Sequence, residues 1–142
     1  MNIFEAIKNN NIEDALMYIA KGTYINSPDK NGQTPLHYVA NRGYIELLNA
    51  LLAKGADPNA TDNEGKTALH HAVHKDYIEL LNVLLAKGAD PNATAVAGIT
   101  PLHYAVLRDS VKLVNALLAK GANPNTTDSW GRTPLHYAAN RD

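Results

Sequence analysis

The chain has 142 residues, of which 45% are apolar, so it is long enough and apolar enough to build one packed domain. Its 13 Lys and Arg residues are balanced by 14 Asp and Glu residues, and a formal charge of −1 argues against nucleic acid as a partner. Cysteine is absent, which excludes disulfides and thiolate chemistry, and no apolar run approaches the roughly 20 residues that span a bilayer, so we expect no membrane partner.

A fixed period organises the chain. The string Thr-Pro-Leu-His begins at Thr34, Thr100 and Thr133, with the variant Thr-Ala-Leu-His at Thr67, so the interval is always 33 residues. Such a period predicts one supersecondary unit stacked several times within a single domain, 1–142. The units are an N-terminal cap-like unit at 1–27, three units at 28–60, 61–93 and 94–126, and an incomplete unit at 127–142.

The first unit lacks the repeated string but keeps its register. Ile3 stands where the second unit has Leu36, and Gly22 stands where it has Gly55. Its remaining positions are rich in Asn, Lys, Glu and Asp, which suits a unit at the end of a stack.

In each later unit the sequence predicts a short helix that begins at the repeated string. The Thr can cap this helix, Pro occupies its first position, and the following His falls at N3, where its side chain can reach back to the cap. The helix closes at a residue type that tolerates left-handed geometry, namely Gly43, Asp76 or Asp109.

A second helix follows in each complete unit, for example over 44–53, and it is too apolar to have only one dry face. We expect neighbouring units to cover it. A glycine ends this helix, and the turn-forming segment 57–65 predicts a protruding, hairpin-like finger. An asparagine recurs at 26, 59, 92 and 125, and we expect its side chain to bond the backbone at the finger bend.

Taken together, Gly-x-Thr-Pro-Leu-His, a short helix pair and Leu-Leu-Ala-Lys-Gly-Ala-Asp-Pro-Asn resemble the ankyrin repeat over essentially the whole chain. The resemblance implies an all-α solenoid of helix-turn-helix units with protruding fingers. It also implies a concave face formed by the fingers and the first helices, through which such proteins bind a partner protein.

The histidines suggest structure rather than metal chemistry. Those at 37, 70, 103 and 136 recur once per unit, and a spacing of roughly 8–10 Å is too long for one zinc ion to bridge. His71 and His74 lie three residues apart on one helix and could share a metal, but no third ligand is evident. Catalytic motifs are absent as well, so we predict no enzyme activity, no metal and no cofactor.

The fourth unit departs from the others at its finger. Its finger carries Val96 and Ile99, its first helix ends at Leu107, and the only tryptophan, Trp130, lies on the next finger. Apolar residues that cluster beside an aromatic on a polar rim favour a protein-binding hot spot. The alternative is that Val96 and Ile99 only pack against the neighbouring finger.

A second pattern is a ladder of positive charge. Arg42, Lys75, Arg108 and Arg141 occupy the same position in successive units, and Lys66 and Arg132 lie nearby in the sequence. Such a ladder could attract an acidic segment of the partner, although each cation also stabilises the dipole of its own helix. Both roles can hold together.

These observations favour a non-catalytic scaffold that binds a partner protein. The alternative is an architectural segment of a longer protein, or one that self-associates weakly through its C-terminal end. There the apolar flank of the fourth unit's second helix, around Val111, Val114, Leu117 and Leu118, should be partly uncovered.

Because the chain lacks cysteine and a secretory signal, we expect an intracellular, cytoplasmic protein. If the source is an intracellular microbe, that cytoplasm could be the host's.

Overall fold

The computed structural model describes residues 2–140. In this range the chain forms α-helices and no β-strand, and none of the helices has the length and apolar character needed to cross a membrane. In chain order the helices are α1 (Ile3–Lys8), α2 (Ile12–Lys21), α3 (Pro35–Arg42), α4 (Ile45–Ala53), α5 (Ala68–His74), α6 (Ile78–Ala86), α7 (Pro101–Leu107), α8 (Val111–Ala119) and α9 (Pro134–Ala139). The fourth finger also contains a single 3-10 turn, Val96–Gly98.

The helices stack in two rows. The first helices of successive units, α1, α3, α5, α7 and α9, pack on one another, and the second helices α2, α4, α6 and α8 form the other row. Within a unit the first helix packs on the second, as α3 does on α4. Each unit therefore contacts its neighbours rather than a distant part of the chain, which confirms the predicted all-α solenoid.

The repeated Thr and His side chains start the first helices and join neighbouring units. The Thr67 hydroxyl accepts the N–H of His70 at 3.4 Å, and the His70 Nδ1 accepts the N–H of Thr67 at 3.1 Å. The proton is therefore on Nε2, which donates to the carbonyl of Ile99 in the next unit at 3.1 Å. Burial lowers the pKa of His70 to about 4, so this imidazole is neutral. The structural interpretation of the recurring histidines is confirmed.

The turn between the two helices of a unit requires left-handed backbone, as predicted. The residues that close the first helices have positive φ, including 76° at Gly43 and 59° at Asp76. At Gly43 the space is limited too, because an added Cβ would lie 3.1 Å from the ring of Tyr77 in the next unit. A glycine there lets the second row of helices pack closely.

The core lies between units as much as within them. Leu47, Leu48 and Leu51 of α4 are 0% exposed. Helices α2 and α6 cover α4 from both sides in the second row, and α3 covers it within the unit. Each leucine buried in this way contributes about 1.5–3 kcal/mol to folding.

The recurring asparagines also join units, which differs from the local role we expected. The Asn59 amide donates from Nδ2 to the carbonyl of Gly88 at 3.0 Å, and its Oδ1 accepts the N–H of Asp90 at 2.7 Å. The bond within the bend comes instead from Asp57, whose carboxylate accepts the N–H of Asn59 at 2.9 Å. The bonds are side-chain-to-backbone as predicted, but their partners lie 29 and 31 residues away.

Candidate functional site

A carboxylate at the base of the finger holds the second and fifth fingers in shape. In the second finger, residues 29–33, the Asp29 Oδ1 accepts the N–H of Asn31 at 2.8 Å and of Gln33 at 2.9 Å. Its Oδ2 accepts a hydrogen bond from the hydroxyl of Tyr38. Burial and this hydrogen bond raise the pKa of Tyr38 to about 12. Each such finger is thus tied both to its own backbone and to the first helix behind it.

The fifth finger, residues 128–132, repeats this arrangement around Asp128. The carboxylate accepts the N–H groups of Trp130 and Arg132, each at 2.9 Å, and the hydroxyl of Tyr137. Burial alone would raise the pKa of Asp128, but these hydrogen bonds and the one from the Arg132 side chain outweigh it and lower the pKa. The acid therefore stays ionised and keeps the finger rigid.

In the third finger, residues 62–66, a histidine replaces the tyrosine. The His71 Nε2 is 3.5 Å from the Asp62 Oδ2, and within residues 2–140 this buried nitrogen has no hydrogen-bond partner. Burial lowers the pKa of His71 to about 4, the neighbouring His37 adds to the effect, and Asp62 opposes it. The third finger is therefore held less tightly to its helix than the second and fifth.

The imidazoles of His37 and His71 and the carboxylate of Asp62 offer ligand atoms within 4.8 Å of one another. His37 is poorly suited to a metal because its Nδ1 accepts the N–H of Thr34 at 3.0 Å while its Nε2 donates to the carbonyl of Lys66 at 2.8 Å. A metal needs a nitrogen lone pair that these bonds already use. Only two ligands remain, and His74 does not join them, because its ring packs on Tyr104.

The fourth finger, residues 95–99, exposes apolar surface. Val96 is 64% exposed and Leu107 is 44% exposed. Ile99 is half-buried, and its carbonyl accepts the bond from His70 described above. Of the apolar residues that the sequence placed here, Val96 and Leu107 present side chains to solvent and Ile99 does so only in part. Ile99 is therefore a weaker candidate for an exposed anchor than Val96.

Trp130 is 67% exposed, yet it is held in place. The Arg132 guanidinium lies over its indole at 4.9 Å and over the ring of Tyr137 at 4.9 Å, while the Arg132 Nε donates to Asp128 at 2.9 Å. Ser129, the residue before Trp130, donates its N–H to the carbonyl of Ala97 at 2.8 Å, so the fourth and fifth fingers are adjacent. Trp130 is a pre-ordered aromatic group beside the exposed fourth finger.

The charge ladder is less uniform than the sequence suggested. Lys66 pairs with Glu64 at 3.6 Å, and the half-buried Arg42 lies over the ring of Tyr38 at 5.5 Å. Arg132 is engaged as described, and Arg141 lies outside the described residues. Lys75 and Arg108 are exposed.

The pKa of His74 is affected by the positive charges near it. Burial lowers its pKa, and the nearby cations Lys66, Lys75 and Arg108 lower it further. Lys75 and Arg108 therefore place positive potential around His74, at the ends of α5 and α7.

The C-terminal end presents a second apolar surface. Leu135 is 77% exposed, Val111 is 71% exposed and Leu118 is 41% exposed. Of the flank that the sequence predicted to be uncovered, Val114 is half-buried and Leu117 is fully buried, so the prediction was wrong for Leu117. A groove of about 330 Å³ separates α8 from α9. Its apolar lining includes Leu102, Val106, Val114, Leu118, Pro124 and Leu135.

The arrangement of these surfaces on a stack of helix pairs matches a known family. The family whose description is ankyrin repeats (3 copies) matches residues 3–95 and 94–142. No curated protein matches the chain. Because the family match covers nearly every residue, and because the two rows of helices and the hairpin fingers agree with it, the chain belongs to the ankyrin repeat family.

Proposed function

We propose that the protein is a non-catalytic scaffold that binds a partner protein on the surface formed by its fourth and fifth fingers and the ends of α5 and α7. Ankyrin repeats are in general protein–protein interaction modules. The observation that carries the proposal is the exposure of Val96 and Trp130, 64% and 67%, on adjacent fingers. We assign no catalytic residue and no cofactor.

Two features suit this surface to binding. Trp130 is already ordered by Arg132 and Asp128, so a partner that packs on it loses little side-chain entropy. Aromatic residues with adjacent apolar groups commonly supply most of the binding energy at an interface. Val96 and Leu107 provide exposed apolar groups, and the half-buried Ile99 adds part of its side chain.

The charge beside this surface indicates the chemistry of the partner. Lys75 and Arg108 are exposed, and their field is felt at His74. An acidic segment of the partner would be steered to the fingers by these cations, while the apolar contacts hold it. The remaining cations of the ladder contribute less, because Arg42, Lys66 and Arg132 already contact other side chains.

Affinity capture with matched variants tests the proposal. Trp130→Ala and Val96→Asp should each reduce capture of the same partner at least tenfold, because each removes an exposed anchor. Asn82→Asp, at an exposed position of α6, is the matched control and should bind normally. Thermal melting should show all three variants folded, since the substituted side chains are exposed.

Ile99→Asp is a weaker test because Ile99 is half-buried, so a loss of binding could reflect a disturbed finger. Normal capture by Trp130→Ala and Val96→Asp together would contradict the apolar anchors. If Arg108→Glu then abolished capture, the charged surface alone would be the binding site.

A second candidate function is self-association through the C-terminal end. The exposed Leu135, Val111 and Leu118 favour it, because the leucines equivalent to Leu135 in the three preceding units are buried, namely Leu36, Leu69 and Leu102. Light scattering over a range of concentrations tests this candidate. A dimer that is lost in Leu118→Lys would support it, and a strict monomer at high concentration would count against it.

A further inference from the structure

The fourth finger lacks the carboxylate that shapes the other three. In the third finger the Asp62 Oδ1 accepts the N–H of Glu64 and of Lys66, each at 2.9 Å. The second and fifth fingers have the same two bonds. Ala95 stands at this position in the fourth finger, so no side chain there can accept the corresponding N–H groups of Ala97 and Ile99.

The tip of the fourth finger also has a different backbone. Ala97 has a φ of 64°, and the next residue, Gly98, has a φ of 72°. In the other three fingers only the glycine is left-handed; the residue before it, Asn31, Glu64 or Trp130, does not have a positive φ. An L-residue other than glycine is disfavoured in this geometry, because its Cβ crowds the following carbonyl oxygen.

The frame around the tip is nevertheless the same. Ala95 donates to the carbonyl of Ile99 at 2.8 Å and Gly98 donates to the carbonyl of Ala95 at 3.0 Å. The third finger has these bonds at 2.9 Å each, from Asp62 to Lys66 and from Gly65 to Asp62. Gly98 keeps the glycine that the usual turn requires. Both turns therefore fit the fourth finger, and the carboxylate that would select the usual one is missing.

We infer that the tip of the fourth finger, residues 96–98, interconverts between the left-handed turn at Ala97 and the turn of the other fingers. The observed turn contains a disfavoured residue, and the alternative lacks its two carboxylate bonds, so neither has a large advantage. The fifth finger beside it has both bonds and does not interconvert.

This exchange gives the proposed binding surface one rigid part and one adaptable part. Trp130 is held by its own finger, whereas Val96 can reorient as its backbone changes. A partner would select the conformation of Val96 that it fits best. The binding role rests on the proposed function, but the exchange is a property of the protein alone.

The two variants Ala97→Gly and Ala95→Asp push this equilibrium in opposite directions. Ala97→Gly removes the steric penalty of the observed turn and should raise its population about tenfold relative to the alternative. Ala95→Asp restores the carboxylate and should favour the turn of the other fingers to a similar degree. Aspartate already occupies the position of Ala95 in the other three fingers, and glycine is the residue that most often has positive φ elsewhere in the chain.

NMR relaxation dispersion of the backbone amides measures the exchange in the protein without a partner. We expect exchange at residues 96–99 of the wild type, none at 129–132, and its suppression in both variants. The amide shifts of the fourth finger should move in opposite directions in Ala97→Gly and Ala95→Asp, with the wild type between them.

A wild-type fourth finger without exchange, or variants that shift the same amides in the same direction, would overturn the inference. Because no partner is present, either result leaves the proposed function to its own capture experiment. Loss of binding by Trp130→Ala, in turn, says nothing about the exchange.

Discussion

Leu69 and Leu135 follow the same threonine position in two units, yet one is buried and the other is not. Leu69 is 0% exposed in the middle of the stack, whereas Leu135 is 77% exposed at its end. Both begin a first helix with the same Thr-His cap, and local sequence therefore makes the same helix in both places. The difference is the following unit, which covers Leu69 and does not cover Leu135 in residues 2–140.

The polar residues differ in the same way. His70 bonds the carbonyl of Ile99 in the next unit and is 1% exposed. His136 is exposed, and among residues 2–140 its side chain makes only the local cap bonds. The comparison shows that the helix caps are local, while burial and the longer hydrogen bonds come from neighbours. Variants at matched positions can test this division.

The largest expected difference is between Leu69→Ala and Leu135→Ala. The first leaves a cavity in a fully buried site and should lower the free energy of unfolding by about 2–5 kcal/mol. The second removes a side chain that is mostly in water and should cost less than about 0.5 kcal/mol. Urea denaturation of both variants measures the difference. Similar losses at the two positions would mean that the stack does not bury its leucines between units.

Acid should destabilise the middle of the stack strongly. Burial lowers the pKa of His70 and of His71 to about 4, whereas an unfolded histidine has a pKa near 6.5, so the unfolded chain binds more protons between these values. Stability is therefore retained above about pH 6.5 and lost as the pH falls toward 4, by on the order of 3 kcal/mol for each histidine. Denaturation curves between pH 7.5 and 4.5 measure this loss. Constant stability over that range would contradict neutral, buried imidazoles.

Asn59→Ala and Asn125→Ala should separate a bridging asparagine from an unbridged one. Asn59 makes two hydrogen bonds to the next unit, at 2.7 and 3.0 Å, and its loss should cost about 1–2 kcal/mol. Asn125 has no corresponding unit to bond in the part of the chain that the structure describes, so its replacement should cost only a few tenths. Thermal melting of both variants at pH 7 tests the pair. An equal effect would place the role of these asparagines within their own finger bend.

The smallest effect is a gain. His71→Tyr would give Asp62 the tyrosine hydroxyl that Asp29 and Asp128 already have, and should raise the free energy of unfolding by about 1 kcal/mol at pH 7. The variant should also lose less stability in acid than the wild type, since one buried histidine is gone. His71→Phe is the control, because it keeps the ring and lacks the hydroxyl. A gain as large in the control would assign the effect to packing.

The sequence predicted the repeating structure well, because its signals are local. The Thr-His cap, the residues of positive φ such as Gly43 and Asp76, and the apolar second helices all follow from residue types at fixed spacing. Asp29 and its partner Tyr38 are nine residues apart in the sequence, and the same spacing recurs at Asp128 and Tyr137, so this pairing was predictable from the sequence.

The candidate site was harder to predict, because it depends on how each finger lies against its own helix. From the sequence, Arg132 is expected to be a free cation, but in the fold its guanidinium lies over two aromatic rings. From the sequence, Ile99 is expected to be an exposed anchor, but it lies at the base of the finger and is half-buried. Sequence can identify which positions vary between units, whereas exposure depends on the neighbouring side chains.

Site-specific photo-cross-linking tests the central functional claim most directly. A photoreactive amino acid placed at Val96 is compared with the same group at Asn82, which is also exposed and lies on the row of second helices. We predict that the group at Val96 captures a partner protein that wild-type competitor displaces and Trp130→Ala competitor does not, and that the group at Asn82 does not capture it. Capture of that partner from Asn82 and not from Val96 would place the binding surface on the opposite row of helices and contradict the account.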